Sequence, residues 1–268
     1  MTIPADSGRI DLWCSFTSDV PDATLPDYRA LLSDSERQQE GRFYFERDRR
    51  RYVVTRALVR TVLSRYAPVA PTDWVFANNP YGKPLIANAD PEARAIAFNV
   101  THTDGLVILG VTFGGALGID VENVRTRAAP LEVAGAFFAP EEVAALGMVP
   151  PARQPQRFYE YWTLKESYIK ARGLGLSIPL DRFSFQFPAD DEVAIVIHPD
   201  QNDSPARWRF WQFWTGCEHM TGVCAERTGP EAPRMVLTRI VPLGAESEID
   251  CAPLRATAAT ARASTEYL

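Results

Sequence analysis

The sequence predicts an α+β fold, in which helices and β-strands follow one another in mixed order and not in regular alternation. Apolar residues recur every four positions at Val54, Leu58, Val62 and Tyr66, which is typical of a helix with one buried face. Strand-like runs such as Leu106–Phe113 follow other strand-like runs directly. From Phe183 to Val241 the chain carries only strand patterns. This order favours an α+β protein over a doubly wound parallel sheet.

The first helical region is expected to begin at Ser33. Ser33 and Glu36 have capping-box spacing, in which the hydroxyl and the carboxylate each bind a free backbone N–H at a helix start. The periodic helix follows an arginine-rich segment, and Pro68 and Pro71 are expected to end it because proline cannot continue helical hydrogen bonding. The stretch 78–84 is rich in turn-forming residues.

Three strands and two helices are expected in the middle of the chain. The strands are Ala95–Val100, Leu106–Phe113 and Leu117–Val121, with Gly114 and Gly115 as the turn between the last two. The helices cover about 131–146 and 156–172. Gly173 is expected to end the second helix, because glycine accepts the left-handed backbone of a C-cap.

The remaining patterns predict five strands and a tail. The strands are Phe183–Phe187, Val193–Ile197, Trp208–Trp214, Met220–Ala225 and Met235–Val241. The alternation of aromatic residues shifts midway through the third of these strands, so a β-bulge is expected there. Residues 246–268 are rich in Ala and Thr and are expected to form a loosely held, flexible tail.

Length and composition limit the class of protein. The 268 residues, of which 46% are hydrophobic, are enough for one large or two small domains. Apolar runs are much shorter than the roughly 20 residues that cross a bilayer, and Met1–Ile10 lacks the pattern of a secretory signal, so no membrane association is expected. The four cysteines are widely spread, as is typical of free thiols in the cytoplasm.

Two further classes of site are disfavoured. The net charge of 28 − 34 = −6 argues against general nucleic-acid binding, which requires an excess of Lys and Arg facing phosphates. Cys217, His219 and Cys224 lie close together, but their spacing matches no common zinc pattern and no second ligand pair accompanies them.

Five arginines lie within ten positions of this acidic chain, namely Arg42, Arg47, Arg49, Arg50 and Arg51. Such a local cationic patch indicates either a small anionic ligand or an acidic partner surface. A solvated helix face without a ligand is the alternative.

Asp120 and Glu122 flank one residue of a predicted strand, so both carboxylates project from the same face. Two neighbouring negative charges repel each other, and a hard cation such as magnesium, which prefers oxygen ligands, would relieve that repulsion. Two solvated acids on an exposed strand are the alternative.

Polar residues on a helix and at a strand end complete the candidate set. Glu166 and Lys170 lie four apart on a predicted helix, either as a surface ion pair or as a carboxylate ligand beside a phosphate-binding ammonium. Thr101 and His102 follow a strand, where they either contact a phosphate or form an ordinary turn.

The segments that carry these residues follow one another in a fixed order. They are Arg42–Phe45 with the arginine-rich helix after it, Tyr81–Pro84, Phe98–His102, Gly118–Glu122, Trp162–Ala171 and Gly173–Leu180. Together, over roughly residues 30 to 225, they resemble the Sfp-type 4'-phosphopantetheinyl transferases.

The resemblance implies an architecture. In that family two similar α+β subdomains are related by a pseudo-twofold axis within one chain, and coenzyme A binds between them. Here the subdomains would be residues 1–116 and 117–245, followed by the tail 246–268. Because both halves lie in one chain, a monomer is expected to be active.

The resemblance also implies roles for residues. Asp120, Glu122 and Glu166 would hold Mg²⁺ together with the pyrophosphate of coenzyme A, and Lys170 would contact the phosphates. Lys83, Thr101 and His102 would bind phosphate groups of coenzyme A. Glu166 is the candidate general base, and Glu166 and Lys170 are the expected catalytic residues.

The chain departs from the family pattern at one place. Relatives often carry Lys or Arg shortly before the Arg-Phe motif, where these residues meet the ribose 3'-phosphate. This chain has the acidic and Gln-rich stretch Glu36–Glu40 instead. Arg47 and Arg51 are therefore expected to bind the 3'-phosphate.

The implied reaction transfers 4'-phosphopantetheine from coenzyme A to a serine of an apo carrier protein. The sequence does not select among fatty-acid, polyketide and nonribosomal-peptide carriers. Two alternatives remain: a catalytically silent protein that binds coenzyme A or carriers, and another magnesium-dependent phosphotransferase or phosphohydrolase.

Overall fold

The computed structural model describes residues 3–126 and 128–258. Its helices are α1 (Leu25–Ala30), α2 (Asp34–Glu40), α3 (Glu46–Leu63), α4 (Pro91–Arg94), α5 (Ala134–Phe137), α6 (Pro140–Met148) and α7 (Gln154–Arg172). Its strands are β1 (Arg9–Phe16), β2 (Phe76–Asn78), β3 (Pro84–Ile86), β4 (Ile96–Thr103), β5 (Leu106–Phe113), β6 (Leu117–Asn123), β7 (Phe183–Gln186), β8 (Ala194–Ile197), β9 (Trp208–Thr215), β10 (His219–Glu226), β11 (Arg234–Ile240), β12 (Glu246–Ile249) and β13 (Arg255–Ala256). This mixture confirms the predicted α+β class.

Two larger sheets and two hairpins contain these strands. The five-stranded sheet has the order β12-β11-β1-β5-β4, and the four-stranded sheet has the order β13-β9-β10-β6. All neighbouring strands are antiparallel except β1 and β11, which run parallel. Strands β2 and β3 form one separate hairpin, and β7 and β8 form the other.

The two sheets pack face to face, with a long helix on each outer face. Apolar residues of β1 and β5, such as Leu12 and Ile108, meet residues of β6 and β9, such as Ile119 and Phe213, in one buried cluster. Helix α3 covers the other face of the five-stranded sheet, and α7 covers the other face of the four-stranded sheet. The layers are therefore helix, sheet, sheet and helix. Each described helix is too short or too polar to span a bilayer.

Several local predictions are confirmed. Ser33 and Glu36 form the capping box at the start of α2. Helix α7 ends at Gly173, whose φ of 67° is left-handed. Strand β5 has the predicted bounds. These features depend on residues close together in the chain, which explains why the sequence reveals them.

Strand β1 was not predicted, although it lies inside the five-stranded sheet between β5 and β11. Ile10, Leu12 and Cys14 are buried on its face toward the second sheet. Their alternation with Arg9, Asp11, Trp13 and Ser15 is the signal that could have identified this strand.

Two predicted details are wrong. Strand β9 has no bulge, because all its residues pair with β10 in unbroken register. Trp208 and Phe210 face α7 while Trp211 and Phe213 face the other sheet, so burial on both sides causes the shifted aromatic pattern. The helix predicted over 131–146 is divided, since the backbone is extended at Phe138 and α6 starts anew at its first proline.

The C-terminal part of the described chain is more ordered than expected. Residues 246–249 form β12 and residues 255–256 form β13, so the prediction of a loosely held tail is wrong for these strands. The last ten residues of the predicted tail, 259–268, lie outside the described residues. Strands β11 and β12 return to the sheet of β1 after β10, and β13 then adds a last strand to the second sheet. The division at residues 116 and 245 and the pseudo-twofold relation stay predictions.

Helix α7 lies unusually close to the four-stranded sheet because two glycines face it. A Cβ atom on Gly118 of β6 would overlap the Ser167 carbonyl oxygen and the Ala171 backbone nitrogen. A Cβ on Gly222 of β10 would lie 2.5 Å from the Thr163 carbonyl oxygen. Side chains at these two positions would force the helix away from the sheet.

We therefore expect Gly118→Ala to lower the free energy of unfolding by roughly 1–3 kcal/mol, because the methyl group meets helix backbone that cannot move aside. Urea unfolding followed by circular dichroism measures the change. The matched control is Gly147→Ala in α6, where a Cβ has nothing within 4 Å. This exposed helical change should leave stability unchanged or raise it by up to about 1 kcal/mol. Equal unfolding midpoints for Gly118→Ala and the wild type would contradict the close approach.

Candidate active site

The candidate site lies where an edge of one sheet meets an edge of the other. Strand β4 borders the five-stranded sheet and β6 borders the four-stranded sheet. Side chains of β4 join them: Asn99 Oδ1 accepts a hydrogen bond from the Ile119 N–H at 2.8 Å, and Thr103 Oγ1 accepts one from the Asn123 N–H at 3.2 Å. These bonds place Thr101 of β4 beside Asp120 of β6.

Lys170, Asp120 and Thr101 form the polar centre of the site. Lys170 Nζ donates to Asp120 Oδ1 at 2.6 Å and to Thr101 Oγ1 at 3.2 Å. The Thr101 hydroxyl itself lies 3.4 Å from Asp120 Oδ1 and can donate to it. The sequence leaves open whether Lys170 pairs with Glu166 on the helix, and in the structure its ammonium binds the carboxylate of Asp120 on the strand.

Asp120 has one carboxylate oxygen without a partner. The residue is only 6% exposed, and its Oδ2 atom is buried with no hydrogen bond. A buried charged oxygen is costly unless another group satisfies it. A bound cation or a ligand donor would fill that role.

Two further carboxylates lie near Asp120. Ile119 and Val121 point into the core between the sheets, so Asp120 and Glu122 share the opposite face, as the strand alternation predicted. Glu166 on α7 is partly buried. Burial raises the pKa of Glu166, the negative charge of Asp120 raises it further, and Lys170 opposes both effects.

The donor set fits magnesium by chemistry, because it offers carboxylate oxygens and a buried oxygen atom that lacks a partner. Among the described residues, however, no group of three or more His, Cys, Asp and Glu side chains is gathered at metal-binding distances. Asp120, Glu122 and Glu166 are therefore neighbours in the fold, but their carboxylates do not yet surround a single point as the ligands of a bound ion would.

A cleft of about 370 Å³ opens beside this centre. Residues of β4, β6 and α7 form one wall, including Thr101, His102, Asp120, Glu122 and Lys170. The opposite wall is one face of α3 with the residue Phe43 before it; the α3 residues are Asp48, Arg51, Tyr52, Thr55 and Arg56. Their spacing of three and four is the helical period, which is the signal by which the sequence could have identified Tyr52, Thr55 and Arg56.

Arg51 and His102 lie on the two walls of the cleft. Arg51 is paired with Asp48 at 2.7 Å. His102 keeps an exposed edge, but the protein atoms around its ring lower its pKa, and the positive charge of Arg51 lowers it further. A neutral His102 beside a paired Arg51 keeps the cleft from becoming strongly cationic.

The other arginines of the cluster point elsewhere. Arg47 is exposed, lies over the Phe45 ring at 5.3 Å, and does not line the cleft. Arg49 pairs with Glu46, and Arg50 pairs with Asp22. Of the two arginines expected to bind a 3'-phosphate, Arg51 lines the cleft and Arg47 does not, and the contact itself stays a prediction.

Glu36 has a role that the sequence analysis missed. Instead of facing a ligand, its carboxylate binds Arg56 on the rim of the cleft and Arg60, whose Nη2 lies 2.8 Å away. Both arginines also stack on the Phe76 ring. The acidic residue at this place thus orients two cations.

Lys83 lies in a second, smaller cleft of about 270 Å³ on the other side of Lys170, which Glu166 also lines. Its ammonium donates to the carbonyl oxygens of Leu117, Lys170 and Ala171. A phosphate contact by Lys83, as the resemblance implies, would compete with these bonds.

A buried ion pair supports the helix that carries Glu166 and Lys170. Lys165 Nζ lies 2.7 Å from Glu142 Oε2 of α6, and both side chains are fully buried. Lys165 also donates to the carbonyls of Leu180 and Phe183, while Glu142 accepts from the Phe185 N–H. Burial raises the pKa of Glu142 and lowers the pKa of Lys165, and their mutual attraction opposes both changes.

Comparison with known proteins gives matches over both halves of the chain. Residues 116–222 match the 4'-phosphopantetheinyl transferase superfamily, and residues 22–113 match the N-terminal region described as 4'-phosphopantetheinyl transferase, N-terminal. The 4'-phosphopantetheinyl transferase Sfp of Bacillus subtilis is 34% identical over 198 residues, which cover 74% of this chain and 84% of that protein. The 4'-phosphopantetheinyl transferase HetI of Nostoc sp. is 33% identical over 171 residues, covering 64% and 71%. A phosphopantetheinyl transferase of Thraustochytrium sp. is 30% identical, covering 85% and 82%.

The buried pair predicts a specific stability pattern. Lys165→Met should lower the free energy of unfolding by roughly 3–5 kcal/mol, because it leaves Glu142 buried without its partner. The double variant Lys165→Met/Glu142→Gln should be more stable than Lys165→Met alone, since the amide carries no charge and keeps an oxygen acceptor for Phe185, and the lost acceptor for the Ala139 N–H costs less than a buried unpaired charge. Urea unfolding at pH 7 compares the variants. A double variant less stable than the single one would show that the pair does not act through charge compensation.

Proposed function

This chain belongs to the 4'-phosphopantetheinyl transferase superfamily, and from that premise we propose that it transfers 4'-phosphopantetheine from coenzyme A to a serine of an apo carrier protein. The observation that carries the proposal is the contact of Lys170 with Asp120 and Thr101 at the junction of the two sheets. It places an ammonium and a hydroxyl, which can donate to a pyrophosphate group, beside a partly unsatisfied carboxylate, which can bind a cation, at one wall of the cleft.

The reaction is a phosphoryl transfer. The serine oxygen forms a bond to the β-phosphorus of coenzyme A, and the bond from that phosphorus to the bridging oxygen breaks. The products are the phosphopantetheinylated carrier and adenosine 3',5'-bisphosphate. Such a transfer depends mainly on positioning and on stabilising the charge of the phosphate oxygens.

Asp120, Glu122 and Glu166 are the residues proposed to hold Mg²⁺. When bound, the ion would neutralise charge on the pyrophosphate and orient it. The unpartnered Asp120 Oδ2 atom and the raised pKa of Glu166, which reflects burial and the neighbouring Asp120, both support a cation here.

The remaining catalytic tasks fall to Lys170, Thr101 and His102 in the first cleft and to Glu166 in the second. Lys170 donates to phosphate oxygens while it keeps its hydrogen bond to Asp120, because an ammonium group has three N–H donors. Thr101 and His102 add a hydroxyl and an imidazole beside it. Glu166 is the proposed general base for the serine proton, acting directly or through a water, since its carboxylate lies near both Asp120 and Lys170. Glu166 lines the second cleft and not the first, so we propose that the serine approaches from the second cleft.

We also propose a cytoplasmic, monomeric enzyme. All four cysteines are free, which suits a reducing compartment. One chain supplies both walls of the cleft, α3 on one side and β4, β6 and α7 on the other, so a second copy is not needed to complete it.

The proposal predicts that the chain, incubated with coenzyme A, Mg²⁺ and an apo carrier protein, increases the carrier mass by one phosphopantetheine. Mass spectrometry of the carrier is the measurement. Asp120→Asn should lower the rate by at least roughly a hundredfold, because one charged partner of both the cation and Lys170 is lost. Asp27→Asn, an exposed position outside the cleft, is the matched control and should keep full activity.

Two results would contradict the proposal. An unmodified carrier with intact coenzyme A would indicate a silent binding protein. Cleavage of coenzyme A without a mass gain on the carrier would indicate a hydrolase.

The orientation of the arginines predicts which one binds the 3'-phosphate. Arg51→Ala should weaken coenzyme A binding by roughly 1–3 kcal/mol through loss of a charge-assisted hydrogen bond, and should hardly change binding of dephospho-coenzyme A. Arg47→Ala, four residues earlier and outside the cleft, is the matched variant and should bind both ligands as the wild type does. Calorimetry with both ligands tests this. Equal losses for the two ligands in Arg51→Ala would assign Arg51 to the pyrophosphate or to the fold.

A further inference from the structure

The C-terminal end of α7 is held by the turn between β2 and β3. The last carbonyl groups of a helix have no partner within the helix. Here Lys83 Nζ donates to the carbonyls of Lys170 at 2.7 Å and Ala171 at 3.2 Å, and Asn79 Nδ2 donates to the carbonyl of Gly173 at 2.7 Å. The Gly173 N–H closes the helix by binding the Ile169 carbonyl. Two side chains of a distant turn therefore satisfy the end of the helix.

Lys83 also reaches the strand that carries Asp120. Its third hydrogen bond, of 3.1 Å, goes to the carbonyl of Leu117 at the start of β6. An ammonium group has three N–H donors, and all three are used within the protein. Lys83 thus joins the turn, the end of α7 and the beginning of β6 at one point.

The turn that presents these side chains is itself well defined. Asn79 Oδ1 accepts hydrogen bonds from the N–H groups of Tyr81 and Lys83, each at 2.9 Å. Gly82 has a φ of 88°, which suits glycine. A Cβ on Gly173 would lie 3.1 Å from Lys83 Cδ, so the lysine stem packs directly on the end of the helix.

The contacts lie within one helical turn of the reacting groups. Lys170 accepts a bond from Lys83 through its carbonyl and donates to Asp120 through its ammonium. Positive charge at a helix C-terminus is favourable, which adds to the hydrogen bonds. Burial lowers the pKa of Lys83, in keeping with an ammonium enclosed by protein.

We propose that Lys83 and Asn79 are positioning residues that fix Lys170 and Glu166 against Asp120, and that Lys83 does not bind a phosphate of coenzyme A. The role rests on the proposed transferase function, since it concerns the geometry of that site. A positioning role explains why all three N–H donors of Lys83 bind backbone carbonyls, whereas a phosphate contact would require at least one of these bonds to break.

The test compares Lys83→Met, which keeps the stem and removes the ammonium, with Asn79→Asp. The second variant keeps the Oδ1 acceptor of the turn and loses the donor to Gly173. For each we expect kcat at saturating coenzyme A to fall by roughly tenfold, because Lys170 and Glu166 are displaced from the reacting phosphorus. The dissociation constant of coenzyme A, measured by calorimetry without Mg²⁺, should stay within about twofold of the wild type. Arg94→Met removes an exposed cation that donates to the Asn88 carbonyl, and this control should leave both quantities unchanged.

Three results would overturn the proposal. A rise of tenfold or more in the dissociation constant with an unchanged kcat would identify Lys83 as a phosphate ligand. A lower melting temperature with an unchanged kcat would show that the turn serves stability alone. A wild-type protein without turnover in the same assay would refute the transferase function and this role with it. Should Lys83→Met fail to fold, as judged by circular dichroism, the kcat of Asn79→Asp decides.

Discussion

The candidate site depends on how closely α7 approaches the four-stranded sheet. Gly118 and Gly222 lack side chains where the helix backbone passes over β6 and β10, so the helix rests almost on the strands. Asp120 lies opposite Gly222 in the pairing of these strands. At this short separation the ammonium of Lys170, on the helix, binds the carboxylate of Asp120. The buried Lys165–Glu142 pair fixes the same helix from its other side.

The second constraint is that each cation of the cleft already has an acid beside it. Arg51 pairs with Asp48, Lys170 with Asp120, and Arg56 with Glu36. Such pairs hold flexible side chains in defined positions, which lowers the entropic cost of arranging them around a ligand. They also explain how a chain with a net charge of −6 can present donors to a highly charged nucleotide.

Much of the site could be predicted from the sequence, because short-range rules govern it. Strand alternation placed Asp120 and Glu122 on one face, and capping rules located Ser33 and Gly173. What could not be predicted depends on residues far apart in the chain. The direction of Arg47 and Arg51 follows from how α3 packs on the sheet, and the bonds of Lys83 exist only because residues near 80 meet residues near 170. In the sequence, Glu36 is a negative charge where a phosphate-binding cation is expected. That it orients two arginines could not be predicted, because Arg56 and Arg60 lie 20 and 24 positions further along the chain.

The parallel pairing of β1 with β11 has a consequence for biosynthesis. Arg9 emerges from the ribosome long before its neighbour in the sheet, Arg234, is made. Until then the hydrogen-bonding edge of β1 remains open, and Leu12 lacks the cover that Leu237 later gives. An open, apolar strand edge invites pairing with other chains. Nascent and prematurely terminated chains of this protein should therefore depend on chaperones, and final closure of the first sheet should be a slow, late step of folding.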